Sequence, residues 1–462
     1  MKNTEITIKI SSVSAKGFGV GRFGDYVLLA NEGLPGDELL VKVVKAKKHY
    51  GYGKILRIIQ PSPHRIDSVI CGFASRCGGC QWLHCDYNAQ LAFKKQIVTD
   101  ALTKIGGIKE PPVGDTIGME NPLRYRNKGA FPIVATSGGE KGFEIGMYEA
   151  RSHRIIPIDD CAIQHPAHVP ILAAFRRFMS QKGLSAYDEA AHRGLVRNIM
   201  VRPSFAAGDV MVVVAINGKF LPHEDELAKE LAAAGATTVV VRKHTKKGDA
   251  PSESSDYRTI SGPRHITEHI GGLKFMLAAP SFFQVNPVQT KKLYDIALAA
   301  AGLDGTGTII DAHCGVGSVA LYAAKYAEQV VGVDIVPSAI QDARQNAALN
   351  GINNASFICG YAEVEIPAML DGGIKPKAIF LDPPRKGCGK ALLDAIIAAE
   401  TEKIVYISCD PATLARDIKI LTGGGYALKS VQPVDMFPMT AKVEAVAELV
   451  PQKKILDTLT AQ

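Results

Sequence analysis

The sequence predicts an α/β protein whose C-terminal part is a doubly wound, mostly parallel sheet, preceded by a small β-barrel and a mixed α/β central part. From about residue 267, short apolar runs alternate with helical segments, which is typical of parallel sheets covered by helices. Residues 1–60 instead hold short alternating segments between glycines, which indicates a closed barrel of the oligonucleotide-binding kind. The 462 residues suffice for about three domains, and we expect them at 1–62, 63–266 and 267–462.

Charge and cysteine content narrow the functional classes. The chain carries a net charge of +7, and residues 1–60 hold ten Lys and Arg against five Asp and Glu. A basic barrel suits a polyanionic partner such as nucleic acid, although a solvated basic surface has the same composition. No apolar run approaches the length of about 18 residues that a membrane span needs, and no signal-peptide core is present. We therefore expect a cytoplasmic protein with no membrane partner, in which the nine cysteines form no disulfide framework.

Local patterns predict the individual elements in the same three parts. In the barrel, alternation predicts strands at 6–10, 26–30, 38–44 and 54–59. In the central part, apolar periodicity predicts helices at about 87–103, 171–181 and 225–233, and strands at 142–148, 199–202 and 210–216. In the C-terminal part, buried parallel strands are expected at 308–311, 329–334, 355–358, 378–382 and 403–407.

A glycine-containing turn follows the first C-terminal strand, in the sequence Asp311-Ala-His-Cys-Gly315-Val-Gly317. Glycines let the backbone approach a ligand closely, and the helix that follows offers free N–H groups. Asp334, at the end of the next strand, is placed to bind the two ribose hydroxyls of a nucleoside. The third glycine of the dinucleotide fingerprint is absent, which favours S-adenosylmethionine because that cofactor has no pyrophosphate. A tight turn without a ligand would have the same glycines.

The fourth C-terminal strand ends in Asp382-Pro-Pro-Arg385. Rigid prolines after an acid, beside the methyl group of the cofactor, would form a platform for a planar base. A strand that merely ends at prolines is the alternative interpretation.

The fifth strand ends at Ser408-Cys409-Asp410, 35 residues before Glu444. A thiolate that adds to C6 of uracil makes C5 nucleophilic, and a base must then remove the C5 proton so that the thiol can leave. Cys409 and Glu444 are the candidates for these two roles, and Asp410 could help to position the base. An inert core cysteine and a surface carboxylate at the edge of the sheet are the alternatives.

Four further cysteines form a spaced set, namely Cys71, Cys77, Cys80 and, far downstream, Cys161. Four thiolates suit either a [4Fe–4S] cluster or a zinc ion. Zinc sites usually contain two C-x-x-C pairs, and only one is present here, so the spacing favours iron and sulfur. Cys85 is a spare thiol that could compete as a ligand.

Together these motifs resemble the bacterial RNA (uracil-5-)-methyltransferase family over nearly the whole chain. Residues 1–60, with Gly19-Val-Gly-Arg22 and Leu34-Pro-Gly-Asp37, resemble its RNA-binding TRAM domain, and Cys77-Gly-Gly-Cys80-Gln81 resembles its cluster motif. Ser281-Phe-Phe-Gln284-Val-Asn286-Pro287 resembles a specific family marker. The fold that the resemblance implies is a Rossmann-like class I methyltransferase domain. The implied roles are base for Glu444, nucleophile for Cys409, cofactor contact for Gln284 and Asp382, and [4Fe–4S] ligand for Cys71, Cys77, Cys80 and Cys161.

Several positions depart from the family pattern around the cofactor. His313 stands where the family usually has Tyr or Phe, Ser318 replaces Asn or Thr, Asp334 replaces Glu, and Tyr361 occupies a position that is normally Asp or Asn. The resemblance implies that all four contact S-adenosylmethionine. Near the base, Met439 and Lys442 replace a common Gln and His. The nucleophile and the base are both retained, so the sequence predicts an active enzyme.

The function implied is methylation of C5 of a uridine in 23S ribosomal RNA, because the cysteine motif resembles the ribosomal branch of the family more than the transfer RNA branch. We expect a loop of RNA as substrate, no DNA partner and a monomer. Three alternatives stay open at this point: a tRNA uridine C5-methyltransferase, an amino-group methyltransferase, and an RNA-binding assembly factor without activity.

Overall fold

The computed structural model describes residues 2–68, 70–136, 142–150, 152–248 and 256–453. The N-terminal part is a closed barrel in which the strands follow the order β1-β2-β3-β5-β4. Alternate residues of the first strand point inward, so that Ile6, Ile8 and Ile10 are buried. The predicted barrel is thereby confirmed. Its strands are β1 (Glu5–Val13), β2 (Gly19–Phe23), β3 (Tyr26–Ala30), β4 (Glu38–Ala46) and β5 (Tyr50–Gln60).

A buried carboxylate joins the barrel to the segment that follows it. Asp37 is fully buried and accepts hydrogen bonds from the amides of Leu34 and Ser62, each at 2.7 Å. Arg65 donates to the same carboxylate through Nε at 2.8 Å and Nη2 at 2.7 Å. Because every oxygen of Asp37 is used, this one side chain fixes the exit of the chain from the barrel.

The central part contains a seven-stranded sheet in the order β12-β11-β10-β9-β6-β7-β8, with two helices packed on one face. Its helices are α2 (His168–Lys182) and α3 (Glu224–Ala233). Its strands are β6 (Gly129–Ala135), β7 (Phe143–Tyr148), β8 (Ile155–Pro157), β9 (Val196–Pro203), β10 (Val210–Ile216), β11 (Thr238–Lys243) and β12 (Asp256–Ser261).

The C-terminal part is a second seven-stranded sheet, in the order β17-β16-β15-β18-β19-β21-β20. The first five strands in this order are parallel, and β21 runs antiparallel to both of its neighbours. The predicted doubly wound sheet is confirmed. The strands are β15 (Thr308–Ala312), β16 (Gln329–Asp334), β17 (Ala355–Cys359), β18 (Ala378–Leu381), β19 (Ile404–Ser408), β20 (Tyr426–Val434) and β21 (Glu444–Pro451).

Helices cover both faces of this sheet, and a hairpin precedes it. The hairpin consists of β13 (His265–Ile270) and β14 (Leu273–Ala278). The helices are α4 (Pro287–Ala301), α5 (Ser318–Ala323), α6 (Pro337–Leu349), α7 (Ala362–Asp371), α8 (Lys390–Ala398) and α9 (Pro411–Gly423), with a short 3₁₀ turn at Ala324–Tyr326. No helix among the described residues is long and apolar enough to cross a membrane.

Helix α1 (Tyr87–Lys104) belongs to the predicted central domain by sequence, yet it packs on the C-terminal sheet. Its apolar residues Ile97, Val98 and Leu102 join the core that also contains α8 and α9. Just after it, Val113 and Ile117 form parallel bridges with Val431 and Val434 of β20. The chain thus crosses to the C-terminal sheet before it returns to the central one.

We predict that Asp37→Ala destabilises the barrel by about 3–5 kcal/mol, because Arg65 would keep a charge that has lost its partner. The only tryptophan, Trp82, is fully buried, and its Nε1 donates to the carbonyl of Gly17 at 3.3 Å. Tryptophan fluorescence during denaturant unfolding therefore reports on this junction.

Glu38→Ala is the matched control, since Glu38 pairs with Lys9 on the surface at 3.8 Å. The loss of unfolding free energy in this variant should stay within about 0.5 kcal/mol. Equal effects of the two substitutions would contradict the role of Asp37.

Candidate active site

Strand register brings the predicted nucleophile and base together. In the antiparallel pair of β19 and β21, Ser408 lies opposite Ala445. Cys409 follows Ser408, and Glu444 precedes Ala445 in the antiparallel strand. The two residues therefore lie side by side at the carboxyl end of β19. Asp382 follows β18, which is the parallel neighbour of β19 on its other side. The three groups therefore meet at one edge of the sheet, where open α/β sheets bind their ligands.

Burial controls the protonation of these three groups. Burial and the charge of Asp382 raise the pKa of the Glu444 carboxyl to about 8. Burial raises the pKa of Asp382 to about 7, and burial with the charges of Glu444 and Asp382 raises the pKa of the Cys409 thiol to about 11. Glu444 is 4% exposed, so the alternative of a surface carboxylate is wrong. A carboxyl whose pKa lies near neutrality is well matched to general-base chemistry.

Two nearby cations oppose this effect of burial. The charge of Arg385 lowers the pKa of both Cys409 and Glu444, although burial remains the larger cause for each pKa. Lys442 also lowers the pKa of Glu444. Arg385 therefore favours the thiolate and the carboxylate, which are the reactive forms of the two groups.

Asp410 has a local structural role beside the nucleophile. It caps α9, and its Oδ1 accepts from the amides of Ala412 at 2.9 Å and Thr413 at 3.3 Å. This cap fixes the turn that carries Cys409.

The glycine turn lies one strand away from Asp382, between β15 and α5. Gly315 has φ +55° and no atom within 4 Å of the position that a Cβ would take, so its backbone borders open space. Gly317 has φ +81°, and a Cβ there would lie 3.1 Å from Ala343 and Phe357. The first glycine thus gives access to the backbone, and the second allows the helix to pack on the sheet.

Asp334 lies at the end of β16, as predicted, and its carboxylate holds the glycine turn. Oδ2 accepts from the amide of Gly315 at 2.9 Å, and Oδ1 accepts from the amide of Val336 at 2.8 Å. Each carboxylate oxygen can accept more than one hydrogen bond. The side chain that was predicted to bind a ribose therefore also connects β16 to the turn after β15.

Two buried residues at this edge had no role predicted from the sequence. Tyr294 of α4 shares a 2.8 Å hydrogen bond with the hydroxyl of Ser318, and the charges of Asp382, Asp311 and Glu444 all act on it. Asp311 accepts from the amide of Ala320 at 2.8 Å through Oδ2, while its buried Oδ1 has no partner among the described residues. Asp311 was visible in the glycine motif, whereas nothing in the helical pattern around Tyr294 marked it.

Of the remaining predicted cofactor residues, His313 and Tyr361 follow β15 and β17 at the same edge, and Gln284 precedes α4. His313 has φ +68°, and its buried Nδ1 lacks a hydrogen-bond partner within the described ranges. Positive φ is uncommon for residues other than glycine and is often found at functional sites. Gln284 is half-buried, and its backbone carbonyl accepts a hydrogen bond from the side-chain Nδ2 of Asn127 at 3.1 Å. Tyr361 is the N-cap residue of α7 but makes no capping hydrogen bond with its side chain, and the residue is 61% exposed.

The four spaced cysteines come close together beside the loop that precedes β21. Cys71, Cys80 and Cys161 pack against the small apolar cluster that contains Met439, and the sulfur of Cys77 accepts from the amide of Gly79 at 3.4 Å. Charges on the other thiols contribute, after burial, to raising the pKa of Cys80. Within the described ranges, however, no three His, Cys, Asp or Glu side chains are arranged to hold a metal ion. The structure therefore brings the thiols together without showing a metal site.

The sheet order, the glycine turn and the acid at the end of β16 define an α/β protein of the methyltransferase fold. A solved structure shares this architecture over 96% of this chain and 100% of its own, with a TM-score of 0.77 and 25% sequence identity: the tRNA (uracil-54, C5)-methyltransferase of Pyrococcus abyssi in complex with S-adenosyl-L-homocysteine.

Residues 269–451 match the tRNA (uracil-5-)-methyltransferase family, and residues 1–56 match the TRAM domain. An uncharacterised RNA methyltransferase of Halalkalibacterium halodurans is 42% identical over 449 residues, which cover 97% of each chain. One of Clostridium tetani is 41% identical over 448 residues, which cover 96% of each chain. The protein belongs to the tRNA (uracil-5-)-methyltransferase family. It is an RNA methyltransferase that uses S-adenosylmethionine, and the predicted family, TRAM domain and methyltransferase fold are confirmed.

The proximity of Glu444 to Cys409 predicts a change in thiol reactivity. Glu444→Gln removes a negative charge that raises the pKa of Cys409, so the pH midpoint for alkylation of Cys409 by iodoacetamide should fall. Asp382→Asn should shift the midpoint in the same direction by less, because its contribution to the pKa is smaller. Mass spectrometry of the Cys409 peptide gives the midpoint. An unchanged or higher midpoint in Glu444→Gln would show that the two groups do not interact.

Proposed function

We propose that the protein methylates C5 of a uridine in 23S ribosomal RNA, with Cys409 bonded transiently to C6 of the base. The chemistry is supported by one observation above all, the register of β19 and β21, which sets a thiol beside a buried carboxyl. The ribosomal substrate is supported by the Cys77-Gly-Gly-Cys80 segment, which resembles that branch of the family.

The reaction begins with activation of the uracil ring. The Cys409 thiolate adds to C6 and forms a carbon–sulfur bond, while the electrons of the C5–C6 double bond move toward C5 and O4. S-adenosylmethionine, when bound, would supply the methyl group to the activated C5, and its bond from the methyl carbon to sulfur would break to leave S-adenosylhomocysteine. The Glu444 carboxylate then takes the C5 proton, the double bond re-forms, and the bond from C6 to sulfur breaks to release the Cys409 thiolate.

Burial and nearby charges set the protonation states of Cys409 and Glu444. Because burial raises the pKa of Cys409 to about 11, the free enzyme holds a neutral thiol near neutral pH. The thiol must therefore lose its proton to solvent before it adds to C6, and the thiolate that is released at the end regains one. Arg385 opposes burial at both Cys409 and Glu444, and it lies beside the proline platform. Arg385 therefore supports both deprotonated forms that the reaction needs.

The residues around the glycine turn fit a nucleoside cofactor. Open space borders the backbone of Gly315, and orphaned buried atoms of Asp311 and His313 lie on either side of Ala312. Ribose hydroxyls would be held by Asp334, and the methyl-bearing end would lie toward Asp382, Gln284 and Cys409. Ser318 and Tyr361 complete the proposed cofactor contacts. Ser318 would make its contact through the hydroxyl that is hydrogen-bonded to Tyr294.

The target uridine must leave its stack to reach Cys409, because this residue is partly buried. Extruding a base costs about a few kcal/mol, and least when the base is already unpaired. A loop of RNA is therefore the favoured substrate, and the basic barrel provides a surface for the adjoining phosphates.

We propose a [4Fe–4S] cluster for Cys71, Cys77, Cys80 and Cys161. The proposal is supported by the proximity of the thiols, because the charges of Cys161, Cys77 and Cys71 all act on Cys80. Four thiolates are the usual ligands of such a cluster. Iron and acid-labile sulfide content of anaerobically purified protein tests the proposal, and a chain that retains zinc alone contradicts it.

Substitution of the two reactive groups should have opposite effects on a covalent intermediate. Cys409→Ala should abolish turnover and leave no adduct, whereas Glu444→Gln should accumulate a protein–RNA adduct because the C5 proton cannot be removed. Denaturing gel electrophoresis of labelled RNA separates the two outcomes. Lys453→Ala is the control, since Lys453 pairs with Glu400 on the exposed surface and should not alter activity. Turnover by Cys409→Ala would refute the nucleophile assignment.

The RNA substrate has two candidates. The name of the Pyrococcus abyssi protein favours transfer RNA, and the cysteine segment favours 23S ribosomal RNA. We expect mass spectrometry of RNA from a strain that lacks this protein to show loss of 5-methyluridine from 23S RNA, restored by the wild-type gene and not by Cys409→Ala. Loss from transfer RNA alone would contradict the ribosomal assignment and leave the chemistry intact.

A further inference from the structure

The loop of residues 435–443 joins β20 to β21 and leads directly into Glu444. Val434 and Glu444 are paired across the two strands, so the two ends of the loop meet at the proposed base. Asp435 and Met436 are completely buried, and Met439 has φ +67°. A methionine in this left-handed conformation persists only where its surroundings impose it.

One face of helix α1 provides those surroundings. Tyr87, Gln90 and Lys94 follow one another at spacings of three and four residues, which places them on the same side of the helix. The Gln90 Oε1 accepts from the amide of Met439 at 3.1 Å. Its Nε2 donates to the carbonyls of Trp82 at 3.1 Å and Cys85 at 2.9 Å, so the amide also joins the loop to the cysteine segment.

Asp435 receives the other two side chains of this face. The Tyr87 hydroxyl donates to its Oδ2 at 2.9 Å, and the Lys94 ammonium donates to its Oδ1. Lys94 also donates to the carbonyl of Phe437 at 3.1 Å. The helix thus holds alternate residues of the loop at positions 435, 437 and 439.

The burial of this ion pair calls for an explanation other than stability. The side chains of Lys94 and Asp435 are both 0% exposed, and lysine is almost never fully buried. Replacing such a pair by packed apolar side chains often leaves a protein as stable or more so. The charged pair adds conformational specificity, since it fixes the loop at one position relative to the helix.

We propose that Tyr87, Gln90 and Lys94 are positioning residues that hold the 435–443 loop so that the Glu444 carboxylate reaches the C5 proton. This inference rests on the proposed function of Glu444 as the base. None of the three side chains touches the reacting atoms. Their effect falls on the proton-removal step, after Cys409 has bonded and the methyl group has moved.

The test uses full-length Lys94→Met with RNA that carries 5-deuteriouridine at the target. Turnover should fall about 10- to 100-fold, as expected for a displacement of about 1 Å at a reacting group. The deuterium isotope effect on turnover should exceed that of the wild type, and the methylated covalent adduct should accumulate. Affinity for S-adenosylmethionine, measured by calorimetry, should not change.

Two further variants keep the outcome decisive. Tyr87→Phe removes one hydroxyl and leaves the ion pair in place, so a folded protein with a smaller rise in isotope effect is expected even where Lys94→Met does not fold. Lys95→Met is the matched control, because Lys95 pairs with the exposed Asp115 at 2.8 Å and should behave as wild type.

A fall in turnover that leaves the isotope effect and the adduct level at wild-type values would overturn the inference, since it would indicate a structural role alone. Unchanged turnover in both α1 variants would overturn it as well. A wild-type enzyme that forms no adduct and releases no deuterium would instead refute the proposed function of Glu444.

Discussion

Everything at the proposed site depends on how β21 is inserted between β19 and β20. In a sheet without β21, Cys409 would lie at the end of β19 with no strand on that side to place a carboxylate beside it. Because β21 runs antiparallel, it begins at the edge where β19 ends. Backbone hydrogen bonds of the strand therefore place its first residue, Glu444, beside Cys409, and the loop that leads into Glu444 is itself held by α1.

The same insertion places the carboxyl in a buried environment, and burial is what tunes it. In water a glutamate would have a pKa of about 4.3, too acidic to take a proton efficiently near neutral pH. Burial and Asp382 bring the pKa of Glu444 to about 8, while Arg385 limits the shift. The position of Glu444 thus gives this carboxyl a pKa that suits the proposed base, and its charge makes the Cys409 thiol more weakly acidic.

The sequence predicted much of this arrangement, because the decisive signals are local. Short apolar runs that each end in Asp or Cys identified β16, β18 and β19 together with Asp334, Asp382 and Cys409, and glycines identified the turn between β15 and α5. The barrel was equally clear from its alternation. Glu444 was proposed as a base from the chemistry that Cys409 requires and from the resemblance, since a single acid before an apolar strand has no distinctive pattern.

What the sequence could not predict are the contacts between distant segments. Lys94 and Asp435 are separated by 341 positions, and an isolated lysine in a helix gives no sign of complete burial. The same holds for Tyr294, whose role depends on Ser318 in another helix. The crossing of α1 to the C-terminal sheet was also hidden, because the helix has no clear apolar face and two of its buried residues are Gln90 and Lys94.

RNA that contains 5-fluorouridine at the target position offers the most direct test of the bond between sulfur and carbon. Fluorine replaces the proton that Glu444 is proposed to remove, so the methylated base should remain attached to the protein, and peptide mass spectrometry should locate the attachment at Cys409. Attachment at another residue, or complete recovery of free RNA after incubation with S-adenosylmethionine, would rule out covalent catalysis by Cys409.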